Sequence, residues 1–288
     1  MQKIALLFII GLFLTSNPSI AQFKSKSRNK PSPIASSQWW LGVGGGLNLS
    51  NVQVLEEYHV LTPTSGELPQ KDYQSFNKIG TQFNLMLSYS FSNISLVLQP
   101  GLSRKNFTYE NRVEWQSEQN PENGIYIDNV HLQSLNYFDI PLKIRYSFPV
   151  SNAIIPFIQG GGYYSILVEA DKTIESTGVD NASGSANILP LDNQADEITE
   201  LIFPSNYGLM AGAGIMVPVG DGMAILEANY HHGFRNIVND ELRYTEDKFV
   251  TGAYDVPDDW VLSNISLNFT FAIPLKFVTS KDFVPVNR

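Results

Sequence analysis

Apolar and polar residues alternate with a period of two through most of this chain, the pattern of strands with one apolar face. The clearest run is Phe83, Leu85, Leu87, Tyr89 and Phe91, with Asn84, Met86, Ser88 and Ser90 between them. A two-residue turn, Ser92-Asn93, follows. Then Ile94, Leu96, Leu98, Pro100 and Leu102 alternate with Ser95, Val97, Gln99, Gly101 and Ser103. The same pattern predicts strands near 38–50, 78–91, 94–109, 129–148, 153–168, 206–219, 223–237 and 260–275. In the fourth, Phe138 to Phe148 form one face at every second position, and Asp139, Pro141, Lys143, Arg145 and Ser147 form the other. The fifth is ambiguous, because Ile154 to Ile158 is apolar on both faces.

The connections alternate as well. Short turns fall at 92–93, 149–152 and 220–222, and long loops at 51–77, 110–128, 169–205 and 238–259. An even strand count, with short turns on one side and long loops on the other, predicts an all-β fold: an eight-stranded antiparallel up-and-down transmembrane β-barrel with long extracellular loops. Such a barrel must close, because lipid offers no partner for an edge strand. Eight strands enclose a lumen that side chains nearly fill.

Alternation alone also fits a soluble barrel with an apolar interior. Two features favour an apolar exterior. The polar faces are mostly Ser, Asn, Gln and Gly, as suits a narrow lumen. Aromatic residues gather near strand ends, as in the girdles at lipid–water interfaces. The girdle set is Trp39, Trp40, Tyr89, Tyr146, Phe148, Tyr230, Trp260, Phe269 and Phe271.

Composition adds the ends of the chain. Lys3 followed by the apolar run Ile4 to Leu14, with Ser19-Ile20-Ala21 as a small-x-small site, reads as a signal peptide over 1–21 for export by the Sec pathway. Residues 22–37 are polar, basic and Pro-containing, and are expected to form a flexible periplasmic tail. The barrel domain takes 38–275, and 276–288 form a C-terminal periplasmic tail. There are no cysteines, which excludes a disulfide framework and thiolate metal sites.

Charge is unevenly distributed. Net charge is −9, which argues against nucleic acid as a partner. Of 28 acidic residues, all but Asp139, Asp221, Glu227 and Asp282 fall in the four long loops. Only Lys71, Arg112, Lys172, Arg243 and Lys248 of the basic residues share those loops. An acidic outer face and basic periplasmic tails follow. Within the barrel, Asp139, Lys143, Arg145, Glu227 and Arg235 are expected to point inward and pair across strands, since isolated charges there are costly.

No catalytic motif is present: neither a Gly-x-Ser-x-Gly elbow, nor His-Glu-x-x-His, nor a phosphate-binding loop. The Gly-rich stretches 42–46 and 160–162 lie inside strands, where they serve curvature or close packing. His231 and His232 are adjacent, so a strand points them to opposite faces. No cofactor and no metal site is assigned.

The stretch Leu135-Asn136-Tyr137-Phe138-Asp139-Ile140-Pro141-Leu142-Lys143-Ile144-Arg145-Tyr146 resembles the tyrosine–acidic–Ile-Pro-Leu strand of the PorT-like outer-membrane β-barrel family of Bacteroidetes. The segment 155–164, a Pro-aromatic start leading into glycines, is similar to that family's next strand. Tyr207 to Gly214 and Leu226 to Tyr230 match the sixth and seventh in style. The resemblance covers about residues 38–275. It implies an outer-membrane barrel without catalytic residues to carry over, and suggests the secretion and gliding pathway of the founding member. The expected function is therefore a non-enzymatic structural or protein-interaction scaffold. Its expected partners are outer-membrane lipid and other envelope proteins, met through the acidic loops or the periplasmic tails. The alternatives are a small channel or solute-binding barrel and, further off, a lipid-modifying enzyme.

Overall fold

The structure, a computed structural model, describes residues 37–60, 71–115, 123–150, 153–181 and 186–275. The expected signal peptide, nearly all of the N-terminal tail and the C-terminal tail lie outside the described residues. Twelve strands are present among the described residues: β1 (Gln38–Glu56), β2 (Lys71–Gln74), β3 (Ile79–Phe91), β4 (Ile94–Leu98), β5 (Gly101–Trp115), β6 (Ile125–Ser147), β7 (Ile155–Asp180), β8 (Asn187–Leu189), β9 (Gln194–Glu197), β10 (Ser205–Val219), β11 (Gly222–Asn236) and β12 (Asp259–Pro274). A short helix, α1 (Asp247–Gly252), precedes β12.

All pairing is antiparallel, and the sheet closes on itself. β1 pairs with both β12 and β3; the ring then runs through β4 with β5, then β6, β7, β10 and β11, and returns to β12. β4 and β5 act as one stave: Leu98 opposes Leu142 and Gly101 opposes Asp139, so the register continues across the break. The break falls at Gln99-Pro100, where proline has no N–H to give to the ladder. Eight staves result, as the alternation predicts.

The faces are assigned as expected. Outward-pointing Leu41, Phe83, Leu85, Leu96, Leu142, Ile144, Leu209, Leu267 and Phe269 are exposed, whereas Asn48, Asn84, Ser103, Lys143, Gln159, Asn229, Ser266 and Asn268 are buried. A sheet with its apolar face outside and its polar face inside is inverted relative to a water-soluble barrel, and suits lipid as the surrounding medium. The ambiguous fifth segment resolves the same way: Ile155 and Phe157 are buried and Ile158 is exposed.

Glycines let the staves approach. A Cβ on Gly161 would lie 2.0 Å from the Leu142 carbonyl oxygen across the β6–β7 ladder, and one on Gly44 would lie 2.3 Å from the Thr270 hydroxyl in the lumen. The turns Ser92-Asn93 and Gly220-Asp221 carry positive φ at Ser92 (54°) and Gly220 (63°). That conformation matches the right-handed twist of the flanking strands.

At the other end the expected loops are largely sheet. β5, β6 and β7 run on to Trp115, Ile125 and Asp180, with β2 added beside β5, and β8 and β9 beside β7. Residues 51–56, 71–74, 110–115, 125–128 and 169–180, expected as loop, are strand. In β7 the extension crosses a change of phase. Glu169 opposes Asn136 but Leu167 opposes Tyr137, so Val168 is an extra residue. Beyond this bulge the inward positions move from odd to even numbers, and Ala170, Lys172 and Ile174 become buried. The expectation of one phase per strand therefore ends its strand too early.

Candidate functional site

From the turn end upward, the lumen is built in layers. An apolar plug comes first: Trp40, Met86, Val97, Ile155, Phe157, Met216, Met223, Ile225 and Ala272. Trp40 thus belongs inside and not to the girdle, because Trp39, beside it on the same strand, takes the outward position. Trp39 packs in a tilted arrangement, 4.9 Å between ring centroids, on Tyr89, its partner across the β1–β3 ladder.

Above the plug sits a charged layer. The Glu227 carboxylate accepts from Lys143 Nζ and from Arg145 Nη2, each at 2.9 Å, and from Gln159 Nε2 at 3.0 Å. Gln99 accepts from Lys143, and Arg145 Nε donates to Gln159 Oε1 at 3.0 Å. The Arg145 guanidinium lies 4.1 Å from the centroid of Phe157, joining this layer to the plug. Lys143, Arg145 and Glu227 are no more than 2% exposed. Geometry of this kind, with every charge hydrogen-bonded, makes a buried ionic cluster tolerable.

Asp139 forms a separate layer. Its carboxylate accepts from Ser103 Oγ at 2.6 Å, from Lys105 Nζ at 3.0 Å, and from Ser165. Lys105 also lies 4.8 Å from the centroid of Tyr137. Lys105 is absent from the sequence-predicted network, although continuing the alternation from Gln99 through Ser103 marks it as inward. Arg235 is in that prediction but joins neither layer. Its guanidinium packs 4.0 Å from the Phe203 centroid, and Nη1 donates to Ser205 Oγ at 3.3 Å. The register shift between His232 and Asn236 carries it to the loop end, away from Glu227. Between the two layers lies a small void of about 40 Å³ bordered by Asn84, Ser103, Asp139, Lys143, Glu227 and His231. His232 faces elsewhere, its ring 3.1 Å from Ser263 Oγ, so the histidine pair is split as expected.

The loop end is capped by a dome with its own core. Phe107, Tyr109, Leu135, Tyr137, Ile174, Leu201, Ile237, Phe249 and Trp260 pack together there. Trp260, predicted for the girdle, is fully buried in this core, with its indole N–H donating to Tyr73 Oη at 2.9 Å. Its even position shares the inward phase of Asn264, Ser266 and Asn268, so the alternation of β12 itself turns it inside, where the overlying loops cover it. Of the other girdle residues, Trp39, Tyr89, Tyr146, Phe148, Tyr230, Phe269 and Phe271 are all exposed on the outer wall.

Ion pairs that the sequence does not announce hold the dome down. Asp255 accepts from Lys172 Nζ at 2.5 Å and from Tyr109 Oη at 2.7 Å, and it pairs with Lys71 at 3.3 Å. Asp258 accepts from Lys71 Nζ at 2.8 Å, from Tyr73 Oη at 2.5 Å and from the Tyr58 N–H at 2.7 Å. Arg243 bonds Asp259 at 2.5 Å and lies 3.5 Å from the Tyr58 centroid. Three of the five basic residues counted in the loops are therefore buried and paired. Burial alone would raise the Asp255 carboxyl, but Lys172, Lys71 and His131 hold it well below the usual carboxylate range. His131 stacks on Tyr109 at 4.3 Å and bonds Asn111 at 2.8 Å through Nε2. Burial pushes its imidazole down from 6.5 to about 3, against the pull of Asp255 and with the help of Lys172 and Lys71. It is neutral at physiological pH. Its signal in the sequence is faint, since the residues of this knot come from segments up to 200 positions apart.

The family model described as outer membrane protein beta-barrel domain matches residues 20–239. No curated protein matches the chain. Among solved structures, Ail of Yersinia pestis is similar at 12% identity and a TM-score of 0.31, covering 82% of this chain and 99% of its own. OprG of Pseudomonas aeruginosa is similar at 11% identity and a TM-score of 0.34, with 83% and 97% covered. The outer membrane protease OmpT of Escherichia coli is similar at 8% identity and a TM-score of 0.35, with 85% and 100% covered.

Proposed function

We propose that this chain, which belongs to the outer membrane protein beta-barrel domain family, is a non-enzymatic, non-conducting scaffold that displays its rigid dome to partner proteins outside the cell. Family membership implies the outer membrane, and in such barrels the short turns face the periplasm. The observation that carries the reading is the lumen filling at Glu227. Two cations, two glutamines and one carboxylate from four staves meet there, directly above the plug of Trp40, Phe157 and Met216. A continuous water column has no room at that level.

An outer surface tied down by Asp255 and Asp258 is pre-organised, which lowers the entropy cost of docking. The exposed charges around it are mainly acidic, which suits basic partner surfaces. The resemblance to PorT-like barrels supports an accessory role in secretion or gliding machinery. Purified protein in planar bilayers is expected to give no discrete conductance, while partner proteins co-purify from mild detergent. A solute-binding barrel is the second reading, favoured by the void lined by Ser103, Asp139 and His231. Stable single-channel steps from the wild-type protein would sink the scaffold reading and favour the second.

A further inference from the structure

Gln133 is buried in the dome at 1% exposed, and neither its amide nitrogen nor its amide oxygen has a hydrogen-bond partner among the described residues. A buried amide left in this state is uncommon and calls for a partner. It lines a pocket with Lys172, Ile198, Leu201, Phe249 and Val250. The free space there is about 10 Å³, enough for one water. The space is small because Phe249 fills it. Its ring is 2% exposed and its centroid lies 4.7 Å from Lys172 Nζ.

Phe249 belongs to α1, and α1 is lightly held. Six residues make a helix that is marginal by itself. No side chain caps its N-terminus. Beyond its other end, Tyr254 has a φ of 51°, a left-handed conformation that bulky residues avoid. On the outside, a solvent-facing ion pair between Lys248 and Asp196 ties α1 to β9, and pairs of that kind contribute little. The burial of one ring is then the main hold on this helix.

We propose that α1 is a displaceable lid, and that the pocket beneath it takes an aromatic residue of a partner protein in the place of Phe249. Such a site presumes the scaffold role and gives its partner a chemistry. An incoming ring repeats the contact with the Lys172 ammonium. The backbone beside that ring offers an N–H donor and a carbonyl acceptor, which Gln133 matches with Oε1 and Nε2. Ile198 and Leu201 supply apolar walls. The rim selects the flanking residues. Glu197, Glu200, Asp240 and Glu241 are exposed carboxylates, while Lys248 is engaged by Asp196. A basic residue next to the aromatic one is therefore favoured.

The test uses the full barrel in detergent micelles and the peptide acetyl-lysyl-para-fluorophenylalanyl-lysine amide, followed by fluorine NMR against empty micelles. Wild type is expected to bind it weakly. Phe249→Ala removes the resident ring and should tighten binding about tenfold, because a closed fraction lowers apparent affinity. Lys248→Ala loosens the lid, leaves the pocket intact and should tighten binding up to about fivefold. The test therefore stands even if Phe249→Ala loosens the dome. Gln133→Leu, close to glutamine in size, should weaken binding about tenfold in either background. Retained heat-modifiable gel mobility shows that the variants fold. The same peptide with glutamates for its lysines should bind about tenfold more weakly. Binding unchanged by Gln133→Leu would mean that Gln133 holds a structural water only, and would overturn the proposal. So would a preference for the acidic peptide, or no binding to wild type and both lid variants. These failures leave the scaffold role standing, since partners can still co-purify. Single-channel steps would instead remove that role, and the proposal with it.

Discussion

Glu227→Gln is expected to cost the barrel about 3–5 kcal/mol, the usual loss when one partner is removed from a buried ionic cluster. Lys143 and Arg145 then share the lumen with no carboxylate in their layer, because Asp139 is engaged with Ser103, Lys105 and Ser165. The glutamine keeps the size of the side chain, so the effect reports charge and not a cavity. The measurement is the urea midpoint of the barrel in lipid vesicles, read by the mobility shift between folded and unfolded bands. A companion variant separates charge balance from packing: with Lys143→Met, Arg145→Met and Glu227→Leu combined, the cations vanish with the anion. That triple variant should be more stable than Glu227→Gln alone, since apolar replacement of a whole buried cluster is often neutral. Asp139→Ala should also lower the midpoint by stranding Lys105, but by less, because Lys105 keeps its contact with the Tyr137 ring. A midpoint for Glu227→Gln equal to wild type would show that the lumen admits enough water to solvate the cations, and the closed-lumen reading would fail with it.

The second large effect is expected in the dome. Asp255→Asn removes the only carboxylate among the described residues within ion-pair distance of Lys172, while Lys71 retains Asp258. Lys172 is left buried against Tyr109 and Phe249, and the local cost is again about 3–5 kcal/mol. The eight staves below should stay closed. The discriminating measurement is therefore local: faster hydrogen exchange at the outer ends of β6 and β7 and protease cleavage near α1, with an unchanged barrel midpoint. Acidification probes the same region through His131. Its folded value is depressed, so its contribution is present above its ordinary 6.5 and is lost as pH falls from there towards about 3. Asp255, also depressed, releases its contribution only below the usual carboxylate range. Loosening of the dome between pH 6 and 4 thus belongs to His131, on the order of 1.4 kcal/mol for each unit of pH, and His131→Gln should flatten it. If the dome opens with the same pH profile in that variant, the buried histidine is not the acid-sensitive group.

Much of the lower barrel was legible in the amino-acid order. Alternation is a local signal: each stave must present one face to lipid and one to the lumen, so Phe138 to Phe148 declares its own orientation. The inward placement of Lys143, Arg145 and Glu227 follows from the same rule. Their meeting at one height does not, because it depends on the stagger between β6 and β11, which are not neighbours in the ring. The same stagger assigns Lys105 to Asp139 and separates Asp139 from Glu227. Aromatic residues at strand ends were legible as a class but not one by one. Trp39 and Trp40 differ only in phase, and Trp260 shares the inward phase of Asn264 and Ser266, so its number and not its residue type assigns its side.

The upper half shows where local pattern stops deciding. The chain's alternation determined an eight-staved, lipid-facing wall, its short turns and the absence of a motif for catalysis. The tertiary structure alone decided that the acidic loops continue as sheet, in β7 through one extra residue at Val168. It also decided that Lys71, Lys172 and Arg243 abandon solvent for Asp255, Asp258 and Asp259. The reason is physical. Strand faces obey a period-two rule that each residue satisfies with its nearest neighbours. Buried ion pairs between distant segments form only once the backbone has closed and excluded water, so nothing at either end of such a pair marks its partner in advance.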